Sequence, residues 1–261
     1  MNKPKSDYVI QTVQNALRLL EAFHDSPELG VSELARRLGL HKNNVFRLLA
    51  TLELSGYIEQ SDATERYRLG PRCLELGRSF SLGSRLLERA RPVLEQLSEE
   101  LSESVHLGVL NDFEVVHLDG ELPRQLVVAS SRVGKRLPAH ATALGKVLLA
   151  NGDDVLKAAF VTEGRPGALG ARTHGTITDR DKLIEHLRGV ASQGFALDLQ
   201  ECEEGLCCGA APVYGADGSC VAAISVSGPA SRLTEDRLHR EILPVLVERT
   251  ERLSAQLGGV A

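Results

Sequence analysis

The chain has 261 residues, 43% hydrophobic and 25% charged, an ordinary globular composition with length for two medium domains. No apolar run nears the roughly 18 residues that cross a bilayer, and the polar stretch Met1 to Asp7 lacks the apolar core of a secretory signal; a cytoplasmic protein without a membrane partner is expected. The net charge of −5 excludes a uniformly basic nucleic-acid binder, yet it is uneven: residues 1–72 hold ten basic and nine acidic side chains, the remainder twenty and twenty-six.

In chain order, Val13, Ala16, Leu17, Leu20 and Phe23 fall on one face of a first helix, which Asp25-Ser26-Pro27 ends. A short second helix turns Val31, Leu34, Ala35 and Leu38 inward and Ser32, Glu33, Arg36 and Arg37 outward, and Gly39 breaks it with a tight turn. A third helix carries Val45, Leu48, Leu49 and Leu52 inward until Ser55-Gly56. Two β-prone runs, Tyr57-Ile58-Glu59 and Arg66-Tyr67-Arg68-Leu69, flank the turn-rich Ser61 to Thr64 and predict a hairpin. Three helices and a hairpin in about 70 residues follow the order of a winged helix-turn-helix.

A major groove admits one α-helix, which presents its N-terminal side chains to base edges. Here these are Lys42, Asn43, Asn44, Phe46 and Arg47, with His41 beside them as a phosphate contact. Asn pairs bidentately with adenine, Arg or Lys with guanine, and Phe46 suits a thymine methyl. In the hairpin, Arg66, Tyr67 and Arg68 suit phosphate or minor-groove contact. Any one of these residues alone reads as a solvated polar side chain. Their position just after the turn points to duplex DNA.

Gly70-Pro71 closes the first domain, residues 1–72. From Cys73 to Leu101 the pattern is helical, interrupted at Gly77, Gly83 and Pro92, so a linker helix over 73–89 precedes a second domain over 90–261. The linker holds more leucine than one helix buries alone and is a candidate dimer surface. In the second domain, Val105–Leu110, Phe113–Leu118 and Gln125–Ala129 read as strands, and residues 141–150 and 180–193 as helices. Gly209–Tyr214 and Cys220–Ser227 form a hairpin. A closing helix spans Thr234–Leu257, kinked or divided at Pro244. The fold class is α+β.

Five cysteines, an odd number without paired spacing, read as free thiols. A cysteine enzyme would use Cys207 or Cys208 with His140 or His106, but no diagnostic nucleophile motif or phosphate-binding glycine loop is present. Cys202, Cys207, Cys208 and Cys220 cluster as metal or redox ligands would, without Cys-x-x-Cys spacing. Adjacent Cys207 and Cys208 point to opposite faces if on a strand. Neither enzyme, metal site nor cofactor is expected.

Residues 31–56, from Val31-Ser32-Glu33-Leu34-Ala35 through Lys42-Asn43-Asn44-Val45-Phe46-Arg47 to Ser55-Gly56, resemble the reading head of the IclR family of bacterial regulators. So do Tyr67 to Gly70, His140 to Lys146, Ala222 to Pro229, and Arg232-Leu233-Thr234, in the family's order. Asn43-Asn44 stands where the family commonly has Ser-Thr, which implies an operator preference of its own. The resemblance implies a GAF-like effector domain with an antiparallel sheet, homodimers or homotetramers on operator DNA, and an organic-acid effector. Matching positions for the acid are Leu126, Ala129, Ala143, Leu144, Asp198, Cys208, Ser225 and Ser227. Ser225 and Ser227, two apart, share a strand face, and Ala143-Leu144-Gly145 opens a helix whose free N–H groups attract anions.

Overall fold

The computed structural model describes residues 8–125, 129–152 and 169–259. The chain divides into two compact units, Met1–Gly83 and Ser84–Ala261.

In the first unit, α1 (Gln11–Glu21), α2 (Val31–Leu38) and α3 (Lys42–Leu54) precede the antiparallel strands β1 (Ile58–Gln60) and β2 (Tyr67–Leu69), and α4 (Arg72–Gly83) closes it. Leu19, Leu29, Leu34, Val45, Leu49 and Ile58 form its core. Gly39, at φ 68°, caps α2 in the left-handed region, where a Cβ costs energy. The hairpin returns to α3 because Gly70 packs on Gly56, whose carbonyl oxygen would lie 2.4 Å from any added Cβ.

The face of α1 differs from its sequence reading. Leu19 and Phe23 are buried, whereas Val13 and Leu17 are more than half exposed. The periodicity marked two adjoining apolar stripes, only one of which packs inside the unit. Along α4 no residue is buried, and Leu74, Leu76, Phe80 and Leu82 are exposed.

The expected 73–89 helix is divided: α5 (Arg85–Leu101) starts after the Ser84 cap, whose hydroxyl accepts from the Leu87 N–H. Gly77 and Pro92, read as interruptions, lie within helices. The second unit continues with β3 (Ser104–Asn111), β4 (Glu114–Glu121), β5 (Arg136–Pro138), α6 (Ala143–Ala150), α7 (Arg180–Gln193), β6 (Ala196–Leu199), β7 (Leu206–Tyr214) and β8 (Cys220–Pro229). The six strands form one antiparallel sheet, ordered β5-β4-β3-β8-β7-β6. Of the strand expected at Gln125–Ala129, residues 126–128 lie outside the described residues, and Gln125 and Ala129 are in no strand. The closing helix is divided by a π-turn, Leu238–Ile242, before α8 (Leu243–Gln256). Pro244 lies in the first turn of α8, where its missing N–H costs least.

One sheet face packs on α5 and α8 through Leu94, Leu97, Leu107, Ile224 and Leu246; the other packs on α6 and α7 through Val147, Leu148, Leu183, Ala210 and Ala223. Cys207 joins the first core and Cys208 the second, as alternation along a strand requires. Pro212 sits within β7 beyond the residues that pair with β6, so its missing donor breaks no ladder.

Two polar anchors explain sequence motifs of this unit. Glu103, fully buried, receives Arg232 through two 2.7 Å hydrogen bonds and Arg237 through one of 2.6 Å. A Cβ on Gly228 would lie 2.5 Å from that carboxylate. In the His140 to Lys146 stretch, Thr142 caps α6 by accepting from the Gly145 N–H, and a Cβ on Gly145 would lie 2.2 Å from the Ala139 backbone. Lys146, with no exposed surface, donates to Glu201 at 2.5 Å.

Candidate functional site

The third helix places its polar side chains outward because the inward positions are taken. Val45, Leu48 and Leu49 are buried, while Lys42, Asn43, Asn44, Phe46 and Arg47 are exposed. The side chains of Lys42, Asn43, Asn44 and Arg47 make no hydrogen bond or ion pair among the described residues. His41 is the cap of α3, in extended backbone, and its side chain makes no capping bond. The first N–H groups of a helix lack intrahelical partners and carry its positive dipole end. Exposed apolar, amide and cationic groups thus share one helix end that attracts phosphate.

The hairpin behaves differently. Arg66, read from sequence as a DNA contact, donates to the Glu28 carbonyl at 3.0 Å and to Glu33 at 2.9 Å. Arg68 pairs across the strands with Glu59 at 3.1 Å. Arg66 ties the hairpin to α2 and Arg68 ties its two strands together; Tyr67, read as a third contact, is buried in the core; and the turn between the strands carries Asp62 and Glu65.

In the second unit, strand register builds the polar site. Asp198 on β6 lies opposite Cys208 on β7, Cys208 opposite Ser227 on β8, and Ser227 opposite Ser104 on β3. The next row on that face runs Ala196, Ala210, Ser225, His106, Gly120. Ala143, Leu144, Asp198, Cys208, Ser225 and Ser227 line one cavity, together with His117, Arg132, Thr142 and Leu206. It leaves about 20 Å³ in which the centre of a water could move, room for one such molecule. Larger hollows, about 370 Å³ along α7 and about 400 Å³ beside residues 121–125, are open surface grooves.

Of the other two positions read for the acid, Leu126 lies outside the described residues. Ala129 is buried but is not in the cavity wall, and its carbonyl accepts from the Ser104 hydroxyl at 2.8 Å. His117 and Arg132, on the cavity wall, were not read from the sequence; His106, read only as a base for a cysteine enzyme, lies in the adjoining row. A bulge after Leu107 sets His117 opposite Gly108, which puts it on the same sheet face as His106, and their rings meet edge to face at 5.7 Å. Alternation along β3 and β4 would have flagged both histidines; nothing local marks Arg132.

Burial governs the electrostatics. Desolvation, with smaller repulsion from Arg132, lowers His106 to about 3 and His117 to about 4, so both rings are neutral. Asp198 is raised to about 6 by burial, against bonds from the Glu201 and Cys202 N–H groups. Burial also raises Cys202 and Cys220 to about 11 and lifts Cys207 and Cys208. These thiols are free and protonated, the opposite of an activated nucleophile. Among the described residues no three His, Cys, Asp or Glu side chains are arranged to hold a metal ion, and no helix is long and apolar enough to cross a membrane.

A helix-turn-helix with an exposed reading end, joined in one chain to a domain with a buried polar cavity, defines a transcriptional regulator. The comparisons make the class specific. The IclR helix-turn-helix domain matches residues 12–62, and the bacterial transcriptional regulator IclR C-terminal domain matches residues 81–255. The chain belongs to the IclR family of transcriptional regulators. It is 36% identical to the HTH-type transcriptional regulator XynR of Escherichia coli, over 88% of this chain and 90% of that protein. To the transcriptional repressor IclR of the same organism it is 32% identical, over 96% and 91%. An IclR regulator structure from Alicyclobacillus acidocaldarius superposes with TM-score 0.85 at 26% identity, covering 97% of this chain and 100% of that one. An IclR homologue from Microbacterium hydrocarbonoxydans, complexed with 4-hydroxybenzoate, gives 0.81 at 26%, covering 94% and 98%.

Proposed function

We propose that this protein binds operator DNA through the N-terminal end of α3 and that a small carboxylate, admitted when the cavity at Asp198, Cys208, Ser225 and Ser227 opens beyond the one-water volume it has here, modulates that binding. The observation that carries the reading is the set of exposed side chains from Lys42 to Arg47, without partners among the described residues and braced by buried Val45, Leu48 and Leu49. His41 and the opening turn of α3 supply phosphate contacts. Arg66 and Arg68 are left out because each is held within the unit, Arg66 through Nη2 on the Glu28 carbonyl and Glu33, and Arg68 through Nε and Nη2 on Glu59. The complex of a homologue with 4-hydroxybenzoate supports an organic acid as the effector. A ligand shifts the protein between DNA-binding forms only through a difference in affinity for them.

The regulator acts as a dimer or a pair of dimers. Support comes from two apolar surfaces of the first unit left uncovered: Tyr8, Val9, Ile10, Val13 and Leu17 around α1, and Leu74, Leu76, Phe80 and Leu82 on α4. Large apolar side chains exposed in such number on and beside two short helices mark association surfaces. Light scattering that finds only monomers at micromolar concentration contradicts it.

The test is a gel-shift assay on DNA flanking the protein's own gene, repeated with glyoxylate, pyruvate and 4-hydroxybenzoate. A shift that weakens with salt and changes with one of these acids is the expected result. No salt-sensitive preference for any duplex, with Arg47→Ala indistinguishable from the wild type, overturns the reading.

A further inference from the structure

Arg132 is the cation of the cavity wall, and its side chain is 13% exposed. A guanidinium offers five N–H donors in a fork that matches a carboxylate. Among the described residues Arg132 uses one nitrogen, Nη2, on one oxygen of Glu203 at 2.7 Å. Glu203 itself lies 62% exposed in the segment between β6 and β7. A largely desolvated cation with most of its fork unfilled, turned toward a polar cavity, is an anion site. Its charge is also felt by His106, His117, Cys202 and Cys208, which places it over this end of the sheet.

The rest of the cavity decides which way an acid lies. Asp198 is 1% exposed and accepts from two backbone N–H groups through the same oxygen. A second carboxylate beside it would suffer like-charge repulsion in a poorly screened site. Ser225, Ser227 and Cys208, along with the neutral His117 ring, offer groups suited to a keto or hydroxyl oxygen. The cavity wall therefore carries one acid and one cation, and of the two Arg132 is the group for negative charge.

Building on the carboxylate reading of the cavity, we infer that Arg132 is the residue that binds the effector's carboxylate and that Glu203 is an internal stand-in which the effector displaces. Binding exchanges one carboxylate for another on the same guanidinium. The exchange frees the segment around Glu203, which also supplies the backbone N–H groups that hold Asp198. The site thus favours small acids bearing a second oxygen function, a 2-oxo or hydroxy acid, over simple alkyl acids.

The sign of two substitutions separates this exchange from an ordinary structural ion pair. Calorimetry on the full-length protein uses glyoxylate, pyruvate and 4-hydroxybenzoate, with pyruvamide and 4-hydroxybenzamide as uncharged counterparts. An acid that binds the wild type is expected to bind Glu203→Gln several-fold tighter and Arg132→Gln at least about tenfold weaker, with Arg132→Lys between them because it keeps charge without the fork. The amides are expected to respond to neither substitution. If both Gln variants shift affinity in the same direction, or Arg132→Gln leaves it unchanged while Ser225→Ala/Ser227→Ala abolishes it, the exchange is overturned and the cavity reading stands. If none of the three acids binds the wild type, the carboxylate reading falls and the exchange with it. Unfolding temperatures within a few degrees of wild type establish that Arg132→Gln is folded, and Glu203, at the surface, tests the exchange independently.

Discussion

The two units use polar residues in opposite ways. In the first, the side chains of Lys42, Asn43, Asn44 and Arg47 stand in solvent without partners among the described residues, and the apolar core behind them carries the stability. In the second, the chemistry-bearing groups are buried inside the fold: Glu103, Lys146 and Asp198 all sit at 1% exposure or less. A surface reader can change side chains without unfolding. A buried receptor cannot, because each of its polar groups is also a structural obligation.

The substitution with the largest expected effect tests that contrast at Glu103. Replacing it with alanine removes the buried carboxylate that Arg232 and Arg237 share; breaking a buried ion pair costs about 3–5 kcal/mol, and the partial exposure of the two arginines, 31% and 23%, puts the expected loss at the lower end. Urea unfolding should show that loss, with amide exchange accelerating in the second unit while α2 and α3 keep their protection. A loss below about 1 kcal/mol would mean that the cluster behaves as a surface ion network, and the contrast between the units would fail.

The same contrast explains what the sequence made legible. The reading helix is local: Val45, Leu48, Leu49 and the intervening polar residues announce an inward and an outward face within eight positions. Even there the apolar period of α1 was ambiguous, because Val13 and Leu17 belong to a stripe that faces outward. Arg66 looked like a groove contact because its partners, Glu28 and Glu33, lie more than thirty positions earlier. In the second unit the cavity is a product of register. Asp198, Cys208 and Ser227 become neighbours through strand pairing, and family resemblance, not spacing, brought them together beforehand. Arg132 had no comparable signal. It stands in no strand or helix and belongs to no motif, and only the folded chain shows it at the cavity wall.

A second experiment sharpens the comparison through pH. Asp198 has its pKa raised from 3.8 to about 6, mainly by burial. Between those values the folded protein holds a proton that the unfolded chain has released, so stability falls as pH rises. The favourable contribution is fully present below pH 3.8 and is lost as pH passes about 6. Asp198→Asn keeps an oxygen for the Glu201 and Cys202 N–H groups and removes the charge. It should be more stable than wild type at pH 7.5 by roughly 2 kcal/mol, with the gap closing toward pH 4. Parallel stability profiles would show that Asp198 is not the desolvated group described here. In the first unit, Arg47→Ala should do the reverse: stability unchanged within about 0.5 kcal/mol, and operator affinity reduced about tenfold or more.

The smallest effect is also the most discriminating within the first unit. Arg66 pairs with Glu33 in a partly exposed setting, with side-chain exposures of 43% and 29%, so Arg66→Ala should cost roughly 0.5–1 kcal/mol of stability. Removing one cation from a phosphate makes the dependence of log affinity on log salt shallower by about 0.9. Lys42→Ala should show that decrease, because its ammonium has no partner among the described residues to forgo. Arg66→Ala should leave the slope unchanged, since its Nη2 is held by the Glu28 carbonyl and Glu33. A decrease for Arg66 equal to that for Lys42 would mean that DNA draws Arg66 out of its ion pair, and the hairpin would then belong with the reading helix as a surface kept free for the groove.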